Sequence, residues 1–150
     1  LIEKIVSDNK YKNKIIFDGY PRNIQQAKNL NTLLKNHEQK IDLVISLKVS
    51  LDLIVKRITG RLVCSKCGNI FNEFFNPPPS NLTCCKDGFL KRRSDDNVKT
   101  VKKRHETYEN LTKPLLDHYS KSGLLKNIGG ENKIEEIAAK IAGFINLIQG

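Results

Sequence analysis

The chain has 150 residues, enough for one domain with a proper core, and its 39% apolar and 28% charged residues are typical of a soluble globular protein. No signal peptide is visible, and the longest apolar stretch, IEEIAAKIAGFINLI, is interrupted by charges and cannot span a bilayer. The 26 basic and 16 acidic residues give a net charge of +10, which indicates an anionic partner without distinguishing nucleic acid from phosphate-bearing metabolites.

Three short apolar runs predict buried strands: 14–18, 42–49 and, more weakly, 124–128. Four helices are predicted between and after them: 23–37, 50–58, 94–123 and 133–148. Ser50 is expected to cap the second helix, Gly60 to end it, and Pro114 to kink the third. Because strands alternate with helices, we predict an α/β fold, a three-layer α/β/α arrangement around a parallel sheet.

Residues 60–93 differ from the rest of the chain, because they are rich in Gly, Pro and Cys and show no helical period. We interpret them as a small β-rich insert of short antiparallel strands. The insert would project from a core domain made of 1–59 and 94–150. The chain begins at Leu1 and contains no Met, so we expect a fragment whose core domain is incomplete at its N-terminus.

All four cysteines lie in this insert, in the pattern Cys64-x2-Cys67-x16-Cys84-x2-Asp87. Two tight pairs at this separation are typical of a zinc ribbon, because each x2 turn places two ligands on one side of a tetrahedral metal. Asp87 stands where a Cys would be commonest, and Cys85 is either a spare thiol or a competitor with Cys84 for the third position. Four protein ligands would make the Zn2+ structural. A disulfide and a metal-free loop are the alternatives.

Arginine is scarce in this lysine-rich chain, with six residues among the 26 basic ones. They are Arg22, Arg57, Arg61, Arg92, Arg93 and Arg104. The planar fork of arginine matches phosphate, so the positions that kept it are candidate phosphate contacts. Two arginines lie at the entrance of the insert and two at its exit, where Asp95 and Asp96 follow after one serine. A site that clamps phosphates and handles their metal ion needs this combination of charges.

Asp18 is the last residue of the first predicted strand, and Gly19 and Arg22 follow it in the segment FDGYPR. This segment is similar to the strand-end motif DGFPR of the adenylate kinases. Three further segments match that family in the right order: GRLVCSKCG, FNPPP and RRSDDNVKTVKKR. Over essentially all 150 residues, the chain therefore resembles an adenylate kinase of the bacterial long-lid type, which has a zinc-binding lid. The resemblance implies a P-loop-kinase-like parallel sheet, with the insert as a zinc-ribbon lid.

The resemblance implies reversible transfer of the terminal phosphoryl group of Mg-ATP to AMP, giving two ADP. Arg22 would hold the AMP phosphate, Gln26 would read the adenine of AMP, and Asp18 would orient Mg2+ through water. Arg93 and Arg104 would bind the transferring phosphoryl group from two sides. The implied catalytic set is Arg22, Arg61, Arg93, Arg104, Asp18, Asp95 and Asp96. The implied AMP contacts are Gly19, Arg22, Gln26, Arg93 and Arg104, and the implied ATP contacts are Arg57, Arg61, Phe71 and Asn132.

The family's phosphate-cradling loop does not occur in the sequence, since no G-x-x-x-x-G-K is present. We expect that loop to precede Leu1, and we expect the isolated chain not to turn over. The implied cofactors are Mg2+, bound with ATP, and structural Zn2+. The implied partners are ATP, AMP and ADP, with no nucleic acid and no membrane, for a monomer in the cytoplasm.

Three other functions remain open. A zinc-ribbon nucleic-acid-binding module would grip a phosphate backbone with the +10 surface, but it leaves DGYPR and the SDD segment unexplained. A UMP or CMP kinase would differ in its acceptor, and the zinc-type lid and Gln26 favour AMP. A non-catalytic paralogue would have lost its phosphate loop altogether.

Overall fold

The computed structural model describes residues 2–79, 84–85 and 88–149. The chain divides into two compact units. The first unit comprises Leu1–Lys48 and Thr107–Gly150, and the second unit comprises Val49–Glu106.

In chain order the elements are α1 (Ile2–Val6), a 3-10 turn (Asn9–Tyr11), α2 (Ile24–Asn36), β1 (Val44–Lys48), α3 (Leu51–Thr59), β2 (Arg61–Cys64), β3 (Ile70–Asn72), β4 (Leu90–Lys91), α4 (Val98–Thr107), a π-helical turn (Tyr108–Thr112), α5 (Pro114–Lys121), β5 (Leu125–Gly129) and α6 (Ile134–Gln149). None of the helices in the described part of the chain is long and apolar enough to cross a membrane.

The first unit is built on a parallel pair of strands, β1 and β5, which are in register from Val44 opposite Leu125 to Lys48 opposite Gly129. Val44 and Leu125 pack against a buried cluster formed by α2 and α5, whose members are Ala27, Leu115 and Tyr119. The next residue of β5, Lys126, points to the opposite face, where its ammonium lies 6.0 Å from the ring centre of Phe144 in α6. Helices therefore cover both faces of the strand pair, and the predicted α/β fold with a parallel sheet is confirmed.

A second core cluster joins α1 to α2 through Val6, Leu30 and Leu34. Gln39 connects this cluster to the neighbouring backbone through two side-chain hydrogen bonds. Its side-chain amide donates a hydrogen bond to the carbonyl oxygen of Val6 at 2.8 Å, and its side-chain oxygen accepts one from the backbone N–H of Asn13 at 3.0 Å.

The predicted strand at 14–18 is wrong, because this segment forms no strand and pairs with none among the described residues. Ile15 and Phe17 pack against the Val6 cluster, whereas Ile16 between them is 88% exposed. The apolar run therefore reflects packing of alternate side chains on α1 and α2. Backbone pairing is a separate requirement, and a local pattern does not reveal its partner.

The predicted strands at 42–49 and 124–128 are confirmed as β1 and β5, and the predicted helices at 23–37, 50–58 and 133–148 as α2, α3 and α6. The carboxamide oxygen of Asn23 caps α2 by accepting from the backbone N–H of Gln26 at 2.8 Å. Ser50 occupies the predicted cap position of α3 without a side-chain cap hydrogen bond, and Gly60 ends the helix as predicted.

The long helix predicted over 94–123 is divided into three pieces: α4, the π-helical turn and α5. Pro114 is the first residue of α5, so the interruption falls just before the predicted kink. The helix also begins later than predicted. Arg93 and Asp96 close a turn, with the Asp96 N–H donating to the Arg93 carbonyl oxygen at 3.1 Å, and Asn97 caps α4 through the Thr100 N–H.

The second unit carries a three-stranded antiparallel sheet in the order β3-β2-β4. Leu62 of β2 lies opposite Phe71 of β3, and Cys64 lies opposite Leu90 of β4. The predicted antiparallel strands of the insert are confirmed. This unit also includes α3 and most of α4, whereas the limits 60 and 93 of the insert stay a prediction.

Candidate functional site

The turn that follows the 14–18 segment folds the Arg22 side chain back onto its own backbone. Gly19 has a φ of +69°, and the Tyr20–Pro21 peptide bond is cis. The Arg22 Nε–H donates to the Gly19 carbonyl oxygen at 2.7 Å. A Cβ on Gly19 would lie 3.2 Å from Arg22 Nη2. Glycine at this position therefore supplies both the left-handed backbone and the room for the guanidinium.

Gln26 lies beside Arg22 in the first turn of α2. The Arg22 backbone N–H donates to the Gln26 side-chain oxygen at 2.7 Å, and the Arg22 carbonyl oxygen accepts from the Thr112 hydroxyl at 2.9 Å. Arg22 and Asp18 are exposed, and Gln26 is half-buried. The first unit thus brings the predicted AMP contacts Gly19, Arg22 and Gln26 together.

Gly19→Ala is expected to weaken the predicted AMP binding by about an order of magnitude, because a left-handed non-glycine residue costs about 1–2 kcal/mol and the added methyl crowds the guanidinium. The measurement is the Kd for AMP by calorimetry. Gly123→Ala is the matched control, since Gly123 has a φ of +74° and open space around a new Cβ. Equal effects of both substitutions on AMP affinity would contradict a specific role for Gly19.

Asn132 lies near the carboxyl ends of β1 and β5. The Gly130 N–H donates to the Lys48 carbonyl oxygen at 2.8 Å, which joins the two strand ends. A Cβ on Gly129 would lie 3.6 Å from the side-chain oxygen of Asn132. Open α/β sheets bind their ligands at the carboxyl ends of the strands, so the placement suits the predicted ATP contact.

In the second unit, Arg61 and Asp96 form a buried two-pronged ion pair. Arg61 Nε and Nη2 donate to the two carboxylate oxygens at 2.9 Å and 2.5 Å. The Asp96 side chain is fully buried, whereas 26% of the Arg61 side chain is exposed. The hydrogen bond to Asp96 raises the pKa of Arg61, although burial opposes it. Removing either partner would leave an uncompensated charge, so the pair fixes Arg61 at the start of β2.

Asp95 holds two arginines at once. Arg93 donates to its carboxylate through Nε at 3.2 Å and Nη2 at 3.3 Å, and Arg104 donates through Nη2 at 2.7 Å. The hydrogen bond from Arg104 lowers the pKa of Asp95, and the charge of Arg93 adds to the effect. Two guanidinium groups separated by eleven positions in sequence therefore converge on one anion.

The remaining arginines of the second unit have other contacts. Arg57 lies 5.9 Å from the ring centre of Phe75, within the range of a cation–π contact, and its carbonyl oxygen accepts from the Asn72 amide at 2.8 Å. Arg92 binds the Thr59 carbonyl oxygen and the Glu73 carboxylate. Arg57 is thus placed against an aromatic ring, whereas Arg92 links β4 to neighbouring segments of the same unit.

The four cysteine sulfurs form one cluster and all lie within 4.8 Å of one another. The Sγ atoms of Cys64 and Cys85 are 3.7 Å apart, and those of Cys67 and Cys84 are 3.2 Å apart. These separations exceed a disulfide bond of about 2.05 Å. Zn–S bonds of about 2.3 Å in a tetrahedron place sulfurs about 3.8 Å apart, so the cluster has the dimensions of a zinc-thiolate site.

Two glycines allow the backbone to approach the cysteine sulfurs closely. Gly68 has a φ of +74° and closes the first turn by donating to the Cys64 carbonyl oxygen at 3.2 Å. A Cβ on Gly88 would lie 2.7 Å from the Cys85 sulfur and 2.8 Å from the Cys64 sulfur. The hydrogen bond from Cys84 and the backbone N–H groups of Cys67 and Lys66 lower the pKa of Cys64 to about 6. These hydrogen bonds therefore favour the thiolate form of Cys64, which is the form that binds metal.

Asp87, the predicted fourth ligand, lies outside the described residues. The described cluster contains Cys85 instead, which the spacing left as a spare thiol or a competitor of Cys84.

Comparison with known proteins shows to which protein family the chain belongs. The family model described as adenylate kinase matches residues 1–124. The adenylate kinase of Pelagibacter ubique is 45% identical over 141 residues, which cover 94% of this chain and 66% of that protein. The adenylate kinase of Thermodesulfovibrio yellowstonii is 38% identical over 146 residues, which cover 97% and 68%. The chain belongs to the adenylate kinase family.

The match to a third adenylate kinase, from Bacillus subtilis, is 42% identical over 127 residues and covers 84% of this chain and 58% of that protein. The chain thus spans between 58% and 68% of the length of these three relatives. The two units contain the adenylate kinase positions that the sequence singled out, apart from Asp87. The first unit holds Asp18, Gly19, Arg22, Gln26 and Asn132, and the second unit holds Arg57, Arg61, Phe71, Arg93, Asp95, Asp96 and Arg104.

Sequence reasoning missed two contacts of these adenylate kinase positions. Thr112 fixes the Arg22 carbonyl oxygen from 90 residues away, and the sequence contains no signal for it. Phe75 faces Arg57. Phe75 belongs to the FNPPP segment, and this aromatic residue is the sequence signal for a neighbour of an arginine.

Proposed function

We propose that the protein to which this chain belongs transfers the terminal phosphoryl group of Mg-ATP reversibly to AMP, giving two ADP. Membership of the adenylate kinase family supports the reaction type. The observation that carries the proposal is the convergence of Arg93 and Arg104 on one carboxylate, because it shows two guanidinium groups arranged around a single anion. A transferring phosphoryl group needs such a cage for the charge on its peripheral oxygens.

In this reaction an oxygen of the AMP phosphate attacks the terminal phosphorus of ATP, the bond to the bridging oxygen breaks, and ADP leaves with the electron pair. No protein nucleophile takes part, so the side chains act by positioning and by neutralising charge. Arg22 would bind the acceptor phosphate, and Gln26 would read the acceptor base. Arg61 would reach the ATP phosphates with the part of its fork that Asp96 leaves exposed.

In the second unit, the ATP base would lie against Arg57 and the neighbouring β3, which carries Phe71. In the first unit, Asn132 is a separate candidate contact of ATP. The cation–π contact between Arg57 and Phe75 supports a planar stacking surface at this point. Asp18 offers an exposed carboxylate, which would orient Mg2+ through a water molecule that the ion retains. When bound, Mg2+ would neutralise charge on the phosphates.

Structural Zn2+ in the second unit is the second cofactor that we propose. Thiolates are the preferred protein ligands of Zn2+ in structural sites, and the four clustered sulfurs have suitable spacing. Cys64, Cys67 and Cys84 would be ligands in either arrangement. The fourth ligand would be Cys85, on the strength of its position in the cluster, or Asp87, on the strength of the sequence spacing.

Cys85→Ser and Asp87→Asn distinguish these two ligands. If Cys85 completes the site, we expect its substitution to lower the affinity for Zn2+ by about tenfold or more, because loss of a ligand costs at least as much as loss of an outer partner. Asp87→Asn should then leave the affinity unchanged. Competition with a chromogenic chelator measures both. The reverse outcome would assign Asp87 as the ligand.

The reaction is tested by a coupled assay for ADP formation from ATP with AMP, UMP or CMP as acceptor, using the whole protein. We expect AMP to be preferred. A preference for UMP or CMP would assign a different acceptor, and the absence of ADP with every acceptor would overturn the kinase proposal. Tight, strongly salt-dependent binding of DNA or RNA without ADP formation would instead favour a nucleic-acid-binding module. The 150-residue chain alone, without a G-x-x-x-x-G-K segment, should give no ADP.

We further infer that the protein is a monomer in the cytoplasm. The four free thiols support a reducing compartment, because such compartments keep cysteines available for metal. Gel filtration at several protein concentrations checks the monomeric state.

A further inference from the structure

The turn before α4 carries two adjacent carboxylates with different environments. Asp96 is fully buried and holds Arg61 at 2.5 Å and 2.9 Å. Asp95 is 30% exposed and holds Arg93 and Arg104, each of which is 55% exposed. The turn itself is closed by the Asp96 N–H on the Arg93 carbonyl oxygen at 3.1 Å. Asp96 thus makes one ion pair that is withdrawn from water, whereas the two ion pairs of the neighbouring Asp95 remain open to it.

The hydrogen bonds between Asp95 and its two arginines are weak enough for another anion to replace Asp95. Its contacts to Arg93, at 3.2 Å and 3.3 Å, are longer than the usual charge-assisted hydrogen bond, and only the Arg104 contact at 2.7 Å is short. Exposed ion pairs contribute little net stability, so a competing anion has little to overcome. The buried Arg61–Asp96 pair does not share this property, because separating it would strand a charge without water.

A carboxylate and a phosphoryl group make similar demands on a guanidinium, since each presents oxygens to the same fork. We infer that Asp95 is a built-in competitor for phosphate, a positioning residue that keeps Arg93 and Arg104 converged when no nucleotide is bound and gives them up when a phosphoryl group arrives. This inference rests on the phosphate-binding role proposed above for the two arginines. It adds that binding of phosphate to the pair is an exchange of one anion for another.

The exchange has two consequences. The two arginine side chains do not have to be ordered anew each time phosphate binds, because Asp95 already holds them close together. The affinity for phosphate is also lower than the two guanidinium groups alone would give, since Asp95 must be displaced and its charge then remains nearby. Asp95 thus limits how tightly the pair retains either substrate or product.

The test is calorimetric binding of inorganic tripolyphosphate to the 150-residue chain, at constant pH and ionic strength. Asp95→Asn should bind roughly three- to tenfold more tightly than the unmodified chain, as expected for removing one or two exposed ion-pair contacts. Asp52→Asn is the matched control, because Asp52 is an exposed carboxylate of the same unit and its substitution changes the net charge equally. Asp95→Glu, which restores the carboxylate, should return the affinity towards that of the unmodified chain.

The gain from Asp95→Asn should disappear in the background Arg93→Ala/Arg104→Ala, because the arginines through which Asp95 acts are then absent. Equal or weaker binding by Asp95→Asn relative to Asp52→Asn would overturn the inference and leave the proposed phosphate-binding role intact. A gain that persists without the two arginines would overturn it as well, since it would come from net charge. If neither the unmodified chain nor Asp95→Asn binds tripolyphosphate, both this inference and the assignment of the arginines to phosphate fail.

Discussion

Arg93→Ala in the whole protein is expected to lower kcat by about a thousandfold or more, the effect of removing an arginine that stabilises a transferring phosphoryl group. The reason is local. Arg93 and Arg104 share one anion, and loss of the first leaves a single guanidinium where two converged. Steady-state ADP formation measures the effect, and KM for ATP and AMP should change far less than kcat, because the lost contact strengthens in the transition state.

Arg92→Ala is the control, since the chain places a second arginine directly beside the first. Arg92 binds the Thr59 carbonyl oxygen and Glu73 and does not contact Asp95. Its substitution should cost some stability in the second unit and leave kcat within a few-fold of the unmodified value, in keeping with a partly exposed ion pair. Nearly normal turnover of Arg93→Ala, or equal losses for both variants, would remove Arg93 from the proposed phosphoryl cage.

The prediction of the fold from sequence succeeded where the signal was local. β1 and β5 are short β-branched or apolar runs between turn residues, and the helix between Asn23 and His37 has both a capping residue and an apolar face. The 14–18 segment has the same kind of pattern, yet its Ile15 and Phe17 pack without backbone pairing among the described residues. Strand pairing joins residues far apart in sequence, so the pattern of one segment cannot supply it.

The candidate site shows the same division between local and distant contacts. Arg22 and Gln26 are four residues apart at the start of a helix, so their proximity follows from helix geometry. The sharing of Asp95 by Arg93 and Arg104 depends on a turn that delays α4 until Val98, and the continuous helix predicted there did not contain it. Ligand spacing likewise did not indicate that the adjacent Cys84 and Cys85 both join the cluster, because the loop conformation sets which side chains point inward.

Removal of the proposed Zn2+ is expected to unfold the three-stranded sheet of the second unit. Its strands contain four, three and two residues, and Cys64 is the one strand residue that is fully buried. Nearby apolar side chains such as Phe74 and Phe89 are exposed, so little apolar burial stabilises the sheet. Structural Zn2+ contributes apparent binding free energies of about 10–16 kcal/mol in zinc-finger peptides, which exceeds what so small a sheet can supply. Chelation should therefore produce rapid hydrogen exchange across β2, β3 and β4.

The core of the first unit should remain folded after chelation. Neither the cluster around Val6 and Leu30 nor the cluster around Leu115 contains a cysteine. Cys64→Ser should reproduce the effect of chelation, whereas Ser65→Ala, which removes only the oxygen that accepts the Phe89 N–H, should cost about 1 kcal/mol. Since β2 begins at Arg61 and β4 leads directly to Arg93, loss of the sheet should abolish ADP formation. AMP binding through Arg22 and Gln26 should persist, because both lie in the first unit. Slow exchange and an unchanged thermal midpoint in metal-free protein would show that the sheet is stabilised without zinc.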